Sequence, residues 1–158
     1  MAIDPKHLRD LVIKPACEAI GLYSLAAEEL LLGTACQESK CGTFLKQLGK
    51  GPALGIFQME PRTYHDHWSH FLVGRELGQK AGAMAYWGST DAHPAPEQMI
   101  WNLRFAAAMC RIHYYRVKDP LPAAGDIPAQ AAYWKRFYNT PKGAGTVEEY
   151  LNNWRKLS

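Results

Sequence analysis

Gln37-Glu38-Ser39-Lys40-Cys41-Gly42, followed thirteen residues later by Gly55-Ile56-Phe57-Gln58-Met59, is the part of the chain that decides its reading. Upstream of it, Leu25, Ala27, Leu30, Leu31, Leu32, Ala35 and Cys36 recur at helical spacing behind Ser24, a good N-cap. The apolar face they form is wide, so this helix is expected to be buried on most sides. It should run to about Ser39, with Gly42 just beyond as its stop signal. Glu38 then falls in the last turn, where the helix dipole disfavours a negative charge. The stretch 43–60 contains Gly49, Gly51, Pro52 and Gly55 and reads as a loop or a short, weak hairpin turning back over that end. Most helical glutamates simply point into water. A carboxyl held between an apolar helix and a glycine-rich loop tends instead to keep its proton near neutral pH. That is the requirement for a general acid.

Working outward, Asp4-Pro5 starts a first helix, in which Leu8, Leu11, Val12, Ala16 and Ile20 recur before Gly21. Pro61 starts another, to roughly residue 72. Gly74, Gly78, Gly82 and Gly88 leave 73–95 as a helix with loose ends. Pro96 opens a long helix to about Val117, with Met99, Leu103, Ala106, Ala107, Cys110 and Tyr114 on one face. Three prolines make Asp119 to Pro128 a loop. Helices follow at about 129–139 and 147–157, the latter behind a Thr146…Glu149 capping box. The expectation is one mostly α domain over 1–158.

Composition narrows the possibilities. At 158 residues the chain can bury a real core as one domain, and 47% apolar with 21% charged residues is ordinary for a globular protein. No window approaches the roughly 18 consecutive apolar residues of a membrane span, so no stable membrane association is predicted. Met1-Ala2-Ile3-Asp4-Pro5 places an acid where a secretion signal needs basic residues, which predicts synthesis in the host cytoplasm. Eighteen Lys and Arg against fifteen Asp and Glu give +3, compatible with approach to an anionic wall polymer and too mild to argue for nucleic acid. Cys17, Cys36 and Cys110 sit within apolar helical patterns and read as buried thiols. A Cys36–Cys41 disulfide is the less favoured alternative in a reducing compartment.

Glu38-Ser39 at a helix end, followed by Gly55-Ile56-Phe57-Gln58-Met59, resembles the paired signatures of soluble lytic transglycosylases and goose-type lysozymes. Near the other end, Ala131-Ala132-Tyr133 and Tyr138-Asn139-Thr140-Pro141-Lys142-Gly143-Ala144-Gly145 are similar to the tyrosine–asparagine–glycine motif that closes that family's site. Small phage-encoded members of this lysozyme-like superfamily are the nearest in kind. The resemblance implies a helical lysozyme-like fold and cleavage of the β-1,4 bond between N-acetylmuramic acid and N-acetylglucosamine in peptidoglycan, without a cofactor. It implies Glu38 as catalytic acid, Gln58 as the amide of the glycine-led motif, and Tyr138 as the tyrosine beside the acid, with Asn139 following. The motif departs from the family pattern at Thr140-Pro141, so Tyr133 stands as the alternative tyrosine.

The capture of the cleaved sugar is left open. Most glycosidases use a second carboxylate, for which Glu60 and Asp66 are nearest in sequence; otherwise the sugar's own 6-hydroxyl attacks, as in lytic transglycosylases. His65-Asp66-His67-Trp68-Ser69-His70 lacks an HExxH pattern, and a surface or partly buried cluster is favoured over a metal site. Trp68, Tyr86, Trp87, Trp101, Tyr114, Tyr115, Trp134 and Phe137 read mostly as core, with Trp134, Tyr133 and Tyr138 the best groove aromatics. Lys135, Arg136, Lys142, Arg155 and Lys156 read as a solvated face. The predicted partner is the peptidoglycan glycan strand, met by a monomer acting as an endolysin or from a virus particle. The rival readings are a non-catalytic wall- or virion-binding module on the same scaffold and, more weakly, a helical nucleic-acid binder.

Overall fold

Proline and side-chain caps set most helix starts in the computed structural model, which describes residues 2–158. In α1, Asp4 accepts from the His7 amide at 2.9 Å and Pro5 takes the first helical position. The helix runs Pro5–Leu8, widens into a π-helical turn at Arg9–Ile13, and continues as Lys14–Ala19. Pro15 accounts for the widening, because it has no N–H to give and its ring crowds the carbonyl of Leu11. That carbonyl accepts from Arg104 Nε at 3.1 Å instead.

Helix α2 (Leu25–Ser39) forms the axis of the fold. Ser24 Oγ caps the Ala27 amide at 3.1 Å. Leu30, Leu31, Leu32, Ala35 and Cys36 are all buried, and the helix packs against α1 and against three later helices, as its broad apolar face requires. Lys40 and Cys41 both take the left-handed conformation, and the Cys41 amide returns to the Ala35 carbonyl at 3.0 Å. The stop thus begins two residues before Gly42.

Residues 43–60 form the weak hairpin in miniature. Antiparallel bridges join Lys46 to Leu54 and Leu54 to Met59, too short to count as strands. Helix α3 follows as Pro61–His67 with a π-helical turn at Trp68–Leu72. Only Glu76–Gly82 of the next segment is helical (α4). The chain beyond is irregular, and Gln98 substitutes for a strand partner by bonding both the amide and the carbonyl of Tyr86.

The long helix expected from Pro96 is two helices, α5 (Gln98–Trp101) and α6 (Leu103–Tyr115). Asn102 breaks it: its φ of −97° and ψ of 87° leave the helical region, and its Oδ1 caps the Phe105 amide at 3.1 Å. Its Nδ2 donates to the Met84 carbonyl at 2.6 Å, which ties the break to the preceding irregular segment. Asp126 caps α7, which runs Ile127–Trp134 and then a π-helical turn at Lys135–Asn139. The predicted capping box opens α8 (Val147–Leu157), with both Thr146–Glu149 bonds formed at 3.0 and 3.1 Å.

The expectation of a mostly α domain holds, with one buried cluster joining α1, α2, α6, α7 and α8. Gly33 is where α2 and α8 meet, since a Cβ there would lie 1.9 Å from the Tyr150 hydroxyl. All four cysteines are buried free thiols, and Cys36 and Cys41 face each other at 2.7 Å as a hydrogen-bonded pair. Four aromatics expected in the core are not there. Tyr86, Trp87, Trp101 and Tyr115 are exposed, because the helices expected to bury them are shorter or broken. Among the described residues no helix is long and apolar enough to cross a membrane.

Candidate functional site

The end of α2, the weak hairpin, and the turn after α7 enclose a cleft of about 650 Å³. Glu38, Gln58, Glu60, Tyr138 and Asn139 all line it. That brings together every site residue expected from the sequence except Tyr133.

Ser39 explains why a Glu-Ser pair must meet a Gly-Ile-Phe-Gln stretch. Its Oγ donates to the Ile56 carbonyl at 2.7 Å and accepts from the Gly42 amide at 2.9 Å. One buried hydroxyl therefore fastens the helix end to the loop folded over it. Gly55 is required at the start of that loop. Its φ is +75°, and a Cβ there would stand 2.3 Å from the Met99 carbonyl oxygen.

Glu38 sits at the junction, half-buried, with Oε1 accepting from Trp134 Nε1 at 2.8 Å. Burial raises its pKa to about 7, while the indole N–H pulls the other way by favouring the charged form. Trp134 itself is fully buried. It cannot serve as a groove aromatic, as the sequence suggested; its ring packs tilted against Tyr150, and its N–H addresses the carboxylate.

Tyr138 lines the same cleft as Glu38. Its hydroxyl donates to the Phe57 carbonyl at 2.7 Å, linking the turn after α7 to the hairpin, and its pKa is pushed well above the usual tyrosine range by burial. Tyr133 is corrected out of the site. It lies one helical turn earlier on α7, where it is buried against Tyr114 and Phe137 and donates to the Asp119 carbonyl at 2.9 Å. Asn139 is held by Lys135, whose ammonium donates to Asn139 Oδ1 at 2.7 Å and to the Gly143 carbonyl at 2.8 Å. Lys135 is thus a brace of the cleft rather than part of a solvated face.

Gln58 adopts a positive φ of 48°, and its Nε2 donates to the Gly55 carbonyl at 2.8 Å rather than to Glu38. Glu60 is exposed on the cleft wall. Asp66 does not reach the cleft, because Arg116 at 2.8 Å and His70 at 3.0 Å hold it on the outer face of α3. His113 of α6, which the helical pattern gave no reason to single out, also lines the cleft.

Chemically, this is a carboxyl with a raised pKa in a groove of amides and hydroxyls with apolar patches at Phe44 and Met59. Among the described residues the lining contains no lysine or arginine. No group of three or more His, Cys, Asp or Glu side chains among the described residues is placed to hold a metal ion. Comparison with protein-family models, with curated proteins and with solved structures returns no match to this chain.

Proposed function

We propose that this protein cleaves the β-1,4 bond between N-acetylmuramic acid and N-acetylglucosamine in peptidoglycan, with Glu38 as the general acid. The observation that carries the reading is the Glu38 carboxyl, which lines the cleft and titrates near neutrality because it is buried. A large fraction of molecules hold the proton at pH 7, where an ordinary glutamate has lost it. The resemblance of Glu38-Ser39, Gly55–Met59 and Tyr138-Asn139 to the lytic transglycosylase signatures supports the same assignment. The Ser39–Ile56 bond gives the first two of those motifs a shared physical purpose.

In this mechanism Glu38 gives its proton to the bridging oxygen as the C1–O bond breaks, leaving an oxocarbenium-like muramyl ring. The 6-hydroxyl of that ring attacks C1 and returns its proton to the Glu38 carboxylate. The product is a 1,6-anhydro sugar and the acid is regenerated. Glu60, the other carboxylate of the lining, would be the base for water if the outcome were hydrolysis instead. The neutral amides of Gln47, Gln58 and Asn139 supply donors and acceptors for acetamido and hydroxyl groups.

Digestion of purified peptidoglycan, followed by mass analysis of the soluble fragments, tests the reading. Muropeptides one water lighter than hydrolysis products are expected from the wild type, and none from Glu38→Gln. Binding to the wall without release of fragments would overturn catalysis in favour of a wall-binding module.

A further inference from the structure

Among the described residues the histidines of 65–70 are not gathered with other metal-ligating side chains in a group of three or more, and one of them, His67, is buried. Arg116 Nη1 lies 2.7 Å from His67 Nδ1, His67 Nε2 lies 3.0 Å from His113 Nδ1, and His113 Nε2 lies 2.7 Å from the Phe137 carbonyl oxygen. Only one proton arrangement satisfies every contact. Arg116 can only donate, so His67 Nδ1 must accept and His67 Nε2 must carry the hydrogen. His113 Nδ1 must then accept in turn, and His113 Nε2–H is left to donate to the Phe137 carbonyl. Each imidazole is neutral, with both nitrogens engaged and pointing the same way along the chain. Burial agrees, depressing the pKa of His67 to about 3 and lowering that of His113.

The chain ends at a telling place. Phe137 lies in the π-helical turn Lys135–Asn139, and the next residue is Tyr138. His113 also packs edge-on against the Tyr138 ring, with centroids 4.8 Å apart. Tyr138 is therefore held from behind by His113 and from in front by the Phe57 carbonyl. The outer end is anchored by Asp66, which accepts from the same Arg116 nitrogen at 2.8 Å.

We propose that Arg116, His67 and His113 form a one-way hydrogen-bond chain that positions Tyr138 and the turn carrying it against the hairpin. His113 is a positioning residue and not a general base, since neither of its nitrogens has a lone pair free toward the cleft. The effect on turnover rests on the proposed glycosidase reading. The placement of Tyr138 does not.

The test compares His67→Gln with His67→Leu. A glutamine amide can accept from Arg116 and donate to His113, whereas leucine can do neither. In the wild type, imidazole ¹⁵N spectra at pH 7 should show His67 and His113 neutral with hydrogen on Nε2. Cross-relaxation between the Tyr138 ring and the Phe57–Gln58 backbone should be present in the wild type and in His67→Gln, and lost in His67→Leu. On peptidoglycan, His67→Leu should lower kcat by about tenfold or more with KM little changed, and His67→Gln should restore most of it. A charged imidazole, hydrogen on Nδ1, or an unmoved Tyr138 in a folded His67→Leu would overturn the proposal. A wild type that releases no fragments would remove the catalytic reading of Glu38, while the spectroscopic arm still decides the chain.

Discussion

Trp134 Nε1 donates to Glu38 Oε1 at 2.8 Å, and so opposes the burial that keeps this carboxyl protonated. The two influences set one proton between them. Desolvation is the larger, which is why the pKa lies near 7 rather than in the usual carboxylate range. The indole does double duty, because it fixes where the carboxyl points while keeping its anion tolerable after the proton has left.

Trp134→Phe removes that donor and keeps much of the ring's packing. A hydrogen bond to the charged form lowers a carboxyl pKa, so its loss should raise the Glu38 pKa further. With a charged-group hydrogen bond worth about 1.5–3 kcal/mol, the alkaline limb of the pH–rate profile should move up by about one unit or more. Measuring peptidoglycan turnover from pH 5 to 9 checks this. An unmoved limb would detach Trp134 from the acid.

Glu38 should also tax the stability of the fold. Its folded pKa, about 7, lies above the ordinary value of 4.5, so the native state holds a proton that the unfolded chain gives up. The favourable contribution is complete below about pH 4.5 and is lost as pH rises to about 7, so stability falls across that window. Above pH 7 the native state carries a partly buried, incompletely compensated charge. Glu38→Gln keeps the shape without the charge, and should be more stable than the wild type at pH 8 by about 3 kcal/mol at most, less where solvent reaches the carboxyl, with little difference at pH 4. Urea denaturation at the two pH values reads this directly.

What the sequence made legible was what depends on neighbours along the chain. Ser24 and Thr146 mark their helices because caps act within three residues, and the apolar pattern of 25–36 places Glu38 in the last turn of α2. The break at Asn102 was hidden, since it depends on the Met84 carbonyl in a segment without periodicity. Trp134 looked like a groove aromatic because nothing local says that its N–H meets a carboxylate in another helix. The motif favours Tyr138 and leaves Tyr133 as the alternative, and packing separates them: one faces Asp119 and the other Phe57. His113 gave no signal at all, because its partners come from α3 and α7.

Under the proposed glycosidase reading, Glu60 separates the two chemical outcomes. It is exposed on the cleft wall, whereas Asp66 is committed to Arg116 and His70. If the muramyl 6-hydroxyl captures C1, Glu60→Gln should keep turnover within about threefold, and the products should remain anhydro sugars. General-base help is typically worth about 10²–10⁴-fold. A loss of that size in Glu60→Gln, together with hydrated products in the wild type, would make the enzyme a hydrolase with Glu60 as its second carboxylate.

Gly33 and Tyr150 test how tightly the acid-bearing helix is held. Tyr150 is fully buried on α8, packs tilted against Trp134 with centroids 5.4 Å apart, and fills the notch left by the missing side chain at Gly33. A methyl group in Gly33→Ala would lie 1.9 Å from the hydroxyl oxygen and 2.4 Å from the ring carbon that bears it, so the ring must move. Overpacking of this kind should destabilise the protein by about 1–3 kcal/mol and shift Trp134 away from Glu38. Tyr150→Phe should behave in the opposite sense. The hydroxyl is buried and has no hydrogen-bond partner among the described residues, so deleting it removes a desolvated polar group without losing a bond. Its melting temperature should equal or exceed that of the wild type. A clear loss of stability in Tyr150→Phe would mean that the hydroxyl is bonded in solution, and that the α2–α8 seam is wetter than its packing implies.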